Sequence, residues 1–157
     1  MSMPKSSIGV MQKHLQVLRK ISGWTAEDLG QRLGVTKQTI SNLENRKVDM
    51  TKAQYMALRT IFEYEIRLTE NNDVLKRVMY VLFYSQIDCL DEANKHISDA
   101  LENIAAAAVG GITGSQLSLL SITLLSHANV INGVNIDREL NVQPYLWVKD
   151  LLEEDFE

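Results

Sequence analysis

Thr25-Ala26-Glu27-Asp28-Leu29-Gly30-Gln31-Arg32-Leu33-Gly34-Val35-Thr36-Lys37-Gln38-Thr39-Ile40-Ser41-Asn42-Leu43-Glu44-Asn45 reads as two short helices with a glycine turn between them. Thr25 is a good N-cap, and Glu27 and Asp28 fall in the first turn, where the helix dipole is positive. The helix from Ala26 to Leu33 stops at Gly34, a residue that turns left-handed without steric cost. Thr36 caps the next helix, which runs to about Glu44 and carries Ile40 and Leu43 inward beside Val35. Gly30 sits where the two helices cross, and its lack of a side chain lets the backbones approach. The outward face of the second helix shows Lys37, Gln38, Thr39, Ser41 and Asn42, all donors or acceptors. Gln and Asn can pair bidentately with the N6 and N7 edge of adenine, and Lys can donate to O6 and N7 of guanine. A short helix, a tight turn and a second helix with a polar outer face is the plan by which one helix enters the DNA major groove.

Working outward, Leu15, Leu18 and Ser22, with Val17 and Ile21 beside them, predict a helix over about residues 11–22 that ends at Gly23. Thr51 predicts the cap of a fourth helix through Met56, Leu58, Ile61 and Phe62 to about Leu68. Beyond residue 69 the pattern changes. Val74, Leu75, Val78, Met79, Val81, Leu82 and Phe83 form a stripe wide enough to be covered on more than one side. Val78 to Tyr84 is also an apolar run of β-favouring residues, so a buried strand competes there, although the flanking three-to-four spacing favours helix. Ile97, Leu101, Ile104 and Ala108 predict a helix stopped by Gly110 and Gly111. Leu117, Leu120, Leu124, Ala128 and Ile131 predict another, opened by Ser115 and closed near Asn132 and Gly133. Tyr145, Val148, Leu151 and Leu152 make a last apolar set after Pro144. The expectation is an all-α chain: a helix-turn-helix bundle over residues 1–69, then a helical dimerisation or effector module over 70–157.

The run from Leu29 to Asn45 resembles the phage-repressor, or Xre/Cro-type, helix-turn-helix proteins, and the resemblance extends over about residues 10–66. It implies that Lys37, Gln38 and Asn42 face base edges and that Thr36, Thr39 and Lys47 sit near phosphates. It also implies an ion pair between Arg19 and Glu44 that joins the first helix to the end of the recognition helix. Two positions depart from the family's pattern. Where Gly usually follows Glu-Asn this chain has Arg46, so Asn45 is expected to take the left-handed conformation, with Arg46 adding a phosphate contact. Where Gln often opens the second helix this chain has Ala26, which is therefore left out of the interface.

Charge supports a division of labour. The 157 residues carry a formal net charge of -4, but residues 1–69 hold 11 Lys/Arg against 6 Asp/Glu, whereas residues 70–157 hold 5 against 14. A basic front and an acidic rear suit a polyanion-binding part joined to a part with another task. Cys89 alone excludes an intrachain disulfide, and the opening residues do not read as a signal peptide, so a reducing cytoplasm is the expected setting. From Asn103 through Ile136 there is no Asp, Glu, Lys or Arg. Glycine and hydroxyl residues break that run and acidic residues flank it, so it is read as two helices buried against each other or a second subunit, not as a membrane span.

His14, His96, His127 and Cys89 lack zinc-ligand spacing, and no residue set suggests a cofactor or catalysis. Trp24 is read as a core plug at the turn. The expected function is a sequence-specific DNA-binding transcriptional regulator, a repressor, reading double-stranded DNA as a homodimer. The alternative is an antitoxin or protein-binding adaptor whose C-terminal half engages a protein partner, prompted by the acidic end Glu153-Glu154-Asp155-Phe156-Glu157.

Overall fold

The structure is a computed structural model and describes residues 4–68, 72–141 and 146–153. The described residues form nine α-helices and no strand: α1 Pro4–Ile21, α2 Ala26–Leu33, α3 Lys37–Glu44, α4 Lys52–Leu68, α5 Asp73–Met79, α6 Lys95–Val109, α7 Gly114–His127, α8 Ile136–Asn141 and α9 Leu146–Leu152. The all-α expectation holds.

Local chemistry sets the helix boundaries in the front half. Thr25 and Asp28 form a reciprocal capping box: the Asp28 amide donates to Thr25 Oγ1 at 3.0 Å and the Thr25 amide donates to Asp28 Oδ2 at 2.8 Å. Two orphan donors are satisfied at once. Gly34 ends α2 at φ 82°, in the left-handed region. Thr51 and Gln54 cap α4 in the same reciprocal way. A Cβ on Gly30 would lie 2.7 Å from the Val35 carbonyl oxygen, so α2 and the turn that launches α3 meet only because that position has no side chain.

Three expectations are corrected and a fourth, the favoured helix over Val78 to Tyr84, is refined. α1 begins at Pro4, well before residue 11, because its early turns pack on the rear half, where Gly9 lies against Leu90. The left-handed residue after α3 is Arg46, at φ 58°, whereas Asn45 stays near φ -91°. The Lys47 amide must reach the Asn42 carbonyl at 2.9 Å to close the helix, and that geometry falls on the residue before Lys47. α7 ends at His127, since Asn129 turns left-handed at φ 62°; Ala128 and Ile131 therefore lie beyond the helix. Val78 to Tyr84 is helical, but residues Tyr80–Tyr84 widen into a π turn in which the Ser85 amide reaches back to the Tyr80 carbonyl at 2.9 Å. Pro144, Tyr145 and most of the acidic end fall outside the described residues.

One hydrophobic core runs through both halves. Met11, Leu15 and Leu18 of α1, Leu29, Ile40, Leu43, Leu58 and Phe62 of the front, and Leu75, Val78, Met79, Ile97, Leu101 and Ile104 of the rear are buried in a single cluster. α1 is the spine, touching α3 and α4 on one side and α5 and α6 on the other.

A buried polar cluster reinforces this joint. Arg59 of α4 is 4% exposed and donates from Nε to Glu63 Oε2 at 3.1 Å and from Nη1 to the Tyr55 hydroxyl at 2.7 Å. Its guanidinium carbon lies over the rings of Phe83, Tyr84 and Trp147 at 4.6, 5.1 and 4.6 Å. Glu63 also accepts from the Tyr84 hydroxyl at 3.1 Å and from Trp147 Nε1 at 3.3 Å. The cluster thus ties α4 to the π turn and to α9. In the rear, Arg77 of α5 donates from Nη1 to Ser118 Oγ at 2.9 Å and Ser121 Oγ at 3.0 Å, which turns the serine face of α7 inward.

A shared core implies joint unfolding. Tryptophan fluorescence and far-UV circular dichroism should report one coincident urea transition, and two resolved steps would mean that the halves unfold separately. Glu63→Ala, which strands the Arg59 cation, should cost about 3 kcal/mol in that transition.

Candidate nucleic-acid interface

α3 is an eight-residue helix held on its inner side by Ile40 and Leu43, both 0% exposed. Its outer side carries the polar residues singled out above. Lys37 and Gln38 are exposed and Asn42 is half-buried. Gln38 and Asn42 are one turn apart and bonded to each other, Gln38 Nε2 donating to Asn42 Oδ1 at 2.9 Å. The amide donors of Asn42 and the amide oxygen of Gln38 are not used in that bond. The pair therefore presents both a donor and an acceptor from one orientation of two otherwise floppy side chains.

Thr36 and Thr39 lie at the N-terminal end of α3. Thr36 Oγ1 accepts from the Thr39 amide at 3.1 Å and lies 3.0 Å from Thr39 Oγ1. This end of the helix carries the positive end of its dipole, which suits a phosphate. Arg46 and Lys47 are exposed just past the other end. Hydroxyls at one end of α3 and cations just past the other thus flank its polar outer face. The left-handed backbone at Arg46 puts a cation where a glycine would leave nothing.

Two side chains of α1 hold this face in place. Arg19 donates from Nε to Glu44 Oε2 at 2.6 Å and from Nη2 to Glu44 Oε1 at 3.1 Å, a bidentate pair with side chains 12% and 6% exposed. Arg19 Nη1 also donates to the Trp24 carbonyl at 3.0 Å, so one guanidinium links the α1–α2 turn to the end of α3. Gln12, which sequence reasoning missed, does a parallel job. Its Nε2 donates to the Leu43 carbonyl at 3.0 Å and the Val48 carbonyl at 2.7 Å, and its Oε1 accepts from the Met50 amide at 3.1 Å. The exit of α3 is thereby pinned to α1. Nothing in the sequence marks Gln12, because its partners lie more than thirty residues away and all are backbone groups. Trp24 plugs the turn from below, stacked on Phe62 at 5.6 Å between centroids, with the Arg32 guanidinium over its ring at 4.0 Å.

Residues 15–55 match the family model described as Helix-turn-helix. This segment is similar to the helix-turn-helix of Xre/Cro-type proteins. The match covers α2, α3 and Arg19, and leaves Gln12 and Phe62 outside it. No curated protein and no solved structure matches the chain.

Two titratable groups, His14 and Cys89, are buried without an ion-pair partner among the described residues. His14 of α1 is 2% exposed and its Nε2 has no hydrogen-bond partner among the described residues. Burial first, then the charges of Lys13 and Arg46, lower its pKa to about 4. Burial also pushes the Cys89 thiol up to about 11, so it stays protonated and unreactive. Among the described residues no group of three His, Cys, Asp or Glu is placed to hold a metal, and no helix is long and apolar enough to cross a membrane.

Two outcomes follow. Arg19→Ala leaves the Glu44 carboxylate without its cation and should cost about 3 kcal/mol in urea unfolding, with Arg19→Ala/Glu44→Ala recovering part of the loss. Because His14 titrates lower in the folded than in the unfolded chain, its contribution is intact above about pH 6.5. It is lost progressively as pH falls toward about 4, by about 3 kcal/mol in all. A His14→Leu variant should lack that part of the pH dependence in the same measurement.

Proposed function

We propose that the chain is a sequence-specific DNA-binding transcriptional regulator, acting as a repressor, that lays α3 in the major groove and binds as a homodimer. The observation that carries this reading is the contrast across α3: Ile40 and Leu43 are sealed into the core while Lys37 and Gln38 stand exposed beside Asn42. A rigid inner face with a free polar outer face is what base reading requires. In this reading Lys37, Gln38 and Asn42 contact base edges, and Thr36, Thr39, Arg46 and Lys47 contact phosphates on either side. The net positive charge of residues 1–69 draws the helix-turn-helix to the duplex, whereas the net negative charge of residues 70–157 disfavours contact there. One α3 covers only a few base pairs, so two copies on half-sites about 34 Å apart supply the affinity.

Binding measured on a site selected from random DNA separates the roles. Gln38→Ala and Asn42→Ala should each cost about 1 to 3 kcal/mol and relax discrimination at one base position. Because the two side chains bond each other, the double variant should cost less than the two losses added. Lys47→Ala should weaken all sequences alike and reduce the slope of log affinity against log salt by about one. Equal, sequence-independent losses from all three substitutions would place the recognition face elsewhere.

A further inference from the structure

A cleft of about 600 Å³ opens between α5, α7 and the turn that leads into α8. Ile122, Ile131 and Val134 give it an apolar wall, and Asp73, Lys76, Arg77 and Asp137 supply its charges. Gly133, at φ 74°, and Asn135, whose Oδ1 accepts from the Arg138 amide at 3.1 Å, shape the turn at its rim.

The four charges are not equally spent. Lys76 Nζ and Asp137 Oδ1 pair at 3.2 Å. Arg77 is half-buried and donates from Nη1 alone, to neutral acceptors: the Ser118 and Ser121 hydroxyls at 2.9 and 3.0 Å and the Ser118 carbonyl at 3.4 Å. Its Nε and Nη2 donate to no described residue, and no described carboxylate forms an ion pair with it. Arg59, by contrast, has the Glu63 carboxylate at 3.1 Å. Burial lowers the Arg77 pKa although Asp73 and Asp137 act to raise it, so the cation is under-compensated where it stands. Asp73, one turn before Arg77 on α5, accepts from no described residue either. Four residues of helix set the two groups about 6 Å apart along the axis.

An open cation and an open carboxylate one helical turn apart, beside an apolar wall, restrict the ligand. A dianion would meet one spare cation and two acids. A polyamine would meet Lys76 and Arg77, and among the described residues no group of three His, Cys, Asp or Glu is placed to hold a metal. A neutral apolar molecule would shut the spare Arg77 N–H groups away from water without an acceptor. A molecule with a carboxylate, an ammonium and an apolar side chain meets all three surfaces.

We infer that this cleft binds an apolar zwitterion of amino-acid or dipeptide size, with its carboxylate on Arg77, its ammonium on Asp73 and its side chain against Ile122, Ile131 and Val134. The volume admits either size. The inference goes beyond the DNA-binding reading and does not rest on it. Because α5 packs on α1, an occupant is one helix removed from the element that carries Gln12 and Arg19.

The test is isothermal titration calorimetry on the full chain without DNA, with L-leucine and L-leucyl-L-leucine as probes. At least one should give saturable heat at about millimolar concentration or below, and the tighter binder identifies the size that the cleft takes. For that probe, three truncations should each weaken binding roughly tenfold or more: amidation of the carboxylate, acetylation of the ammonium, and replacement of leucine by glycine. Asp73→Asn should weaken the intact probe by a similar factor and leave the acetylated one unchanged, with an unaltered thermal melt. Arg77→Gln should abolish binding, but Arg77 also holds the serine face of α7, so the probe series on wild type decides where that variant fails to fold. Absence of saturable heat with both probes up to about 10 mM would overturn the inference. So would equal affinity for the intact probe and any one truncation, or an Asp73→Asn variant that binds as wild type does. With no DNA in the cell, the result is independent of what α3 reads.

Discussion

The Arg19 guanidinium reaches both Glu44 carboxylate oxygens and the Trp24 carbonyl, and the orientation of α3 follows from that one fork. A helix of eight residues is too short to hold itself against water, so its direction has to be imposed from outside. Ile40 and Leu43 keep it on the core, but apolar contacts are non-directional and leave rotation about the helix axis weakly fixed. The bidentate pair, with Gln12 gripping the backbone at the exit, removes that freedom. Since a shift of a few ångströms would carry Gln38 and Asn42 past the atoms they are proposed to read, the fork is a condition for any specificity this face has.

A second constraint acts behind the first. Arg59 and Glu63 occupy the joint between α4 and the rear half, where an apolar core would also have sufficed. What the polar cluster adds is direction: the Glu63 carboxylate accepts from Tyr84 and Trp147 as well as Arg59, so the π turn and α9 can seat in only one register. The π turn fits this account, since the extra residue in Tyr80–Tyr84 shifts the phase of the helix while Phe83 and Tyr84 face Arg59. With α1 spanning both halves, the helix-turn-helix and the acidic segment are distinct in charge and continuous in packing.

What the sequence shows of this depends on range. Thr25, Gly34, Thr36 and Thr51 were readable because a cap or a left-handed turn is decided within four residues. Ile40, Leu43 and the outward set on α3 were readable because helical period assigns faces without knowledge of the partner. The left-handed residue after α3 was misassigned by one position, since an asparagine tolerates that conformation better than an arginine does and only the bond from Lys47 to Asn42 decides between them. The early start of α1 was hidden because residues 4–10 lack a strong stripe, and the surface they cover belongs to the distant rear half. Gln12, Arg59 and Glu63 left no signal in spacing, their partners being far along the chain or spread over several elements. α7 misled for a different reason: its leucines and serines are distributed over several faces, so period alone did not separate the inner face from the outer.

The core that the described residues of the two halves share has a geometric consequence for the proposed assembly. Heads on tethers can follow half-sites through changes of separation and angle, whereas heads fused to a common body cannot. Each inserted base pair moves a half-site about 3.4 Å along the duplex and swings it about 35° around the axis. A pair of these chains would therefore act as a caliper with a fixed jaw, accepting one separation and rotational phase of its operator and rejecting the same half-sites set one step further apart.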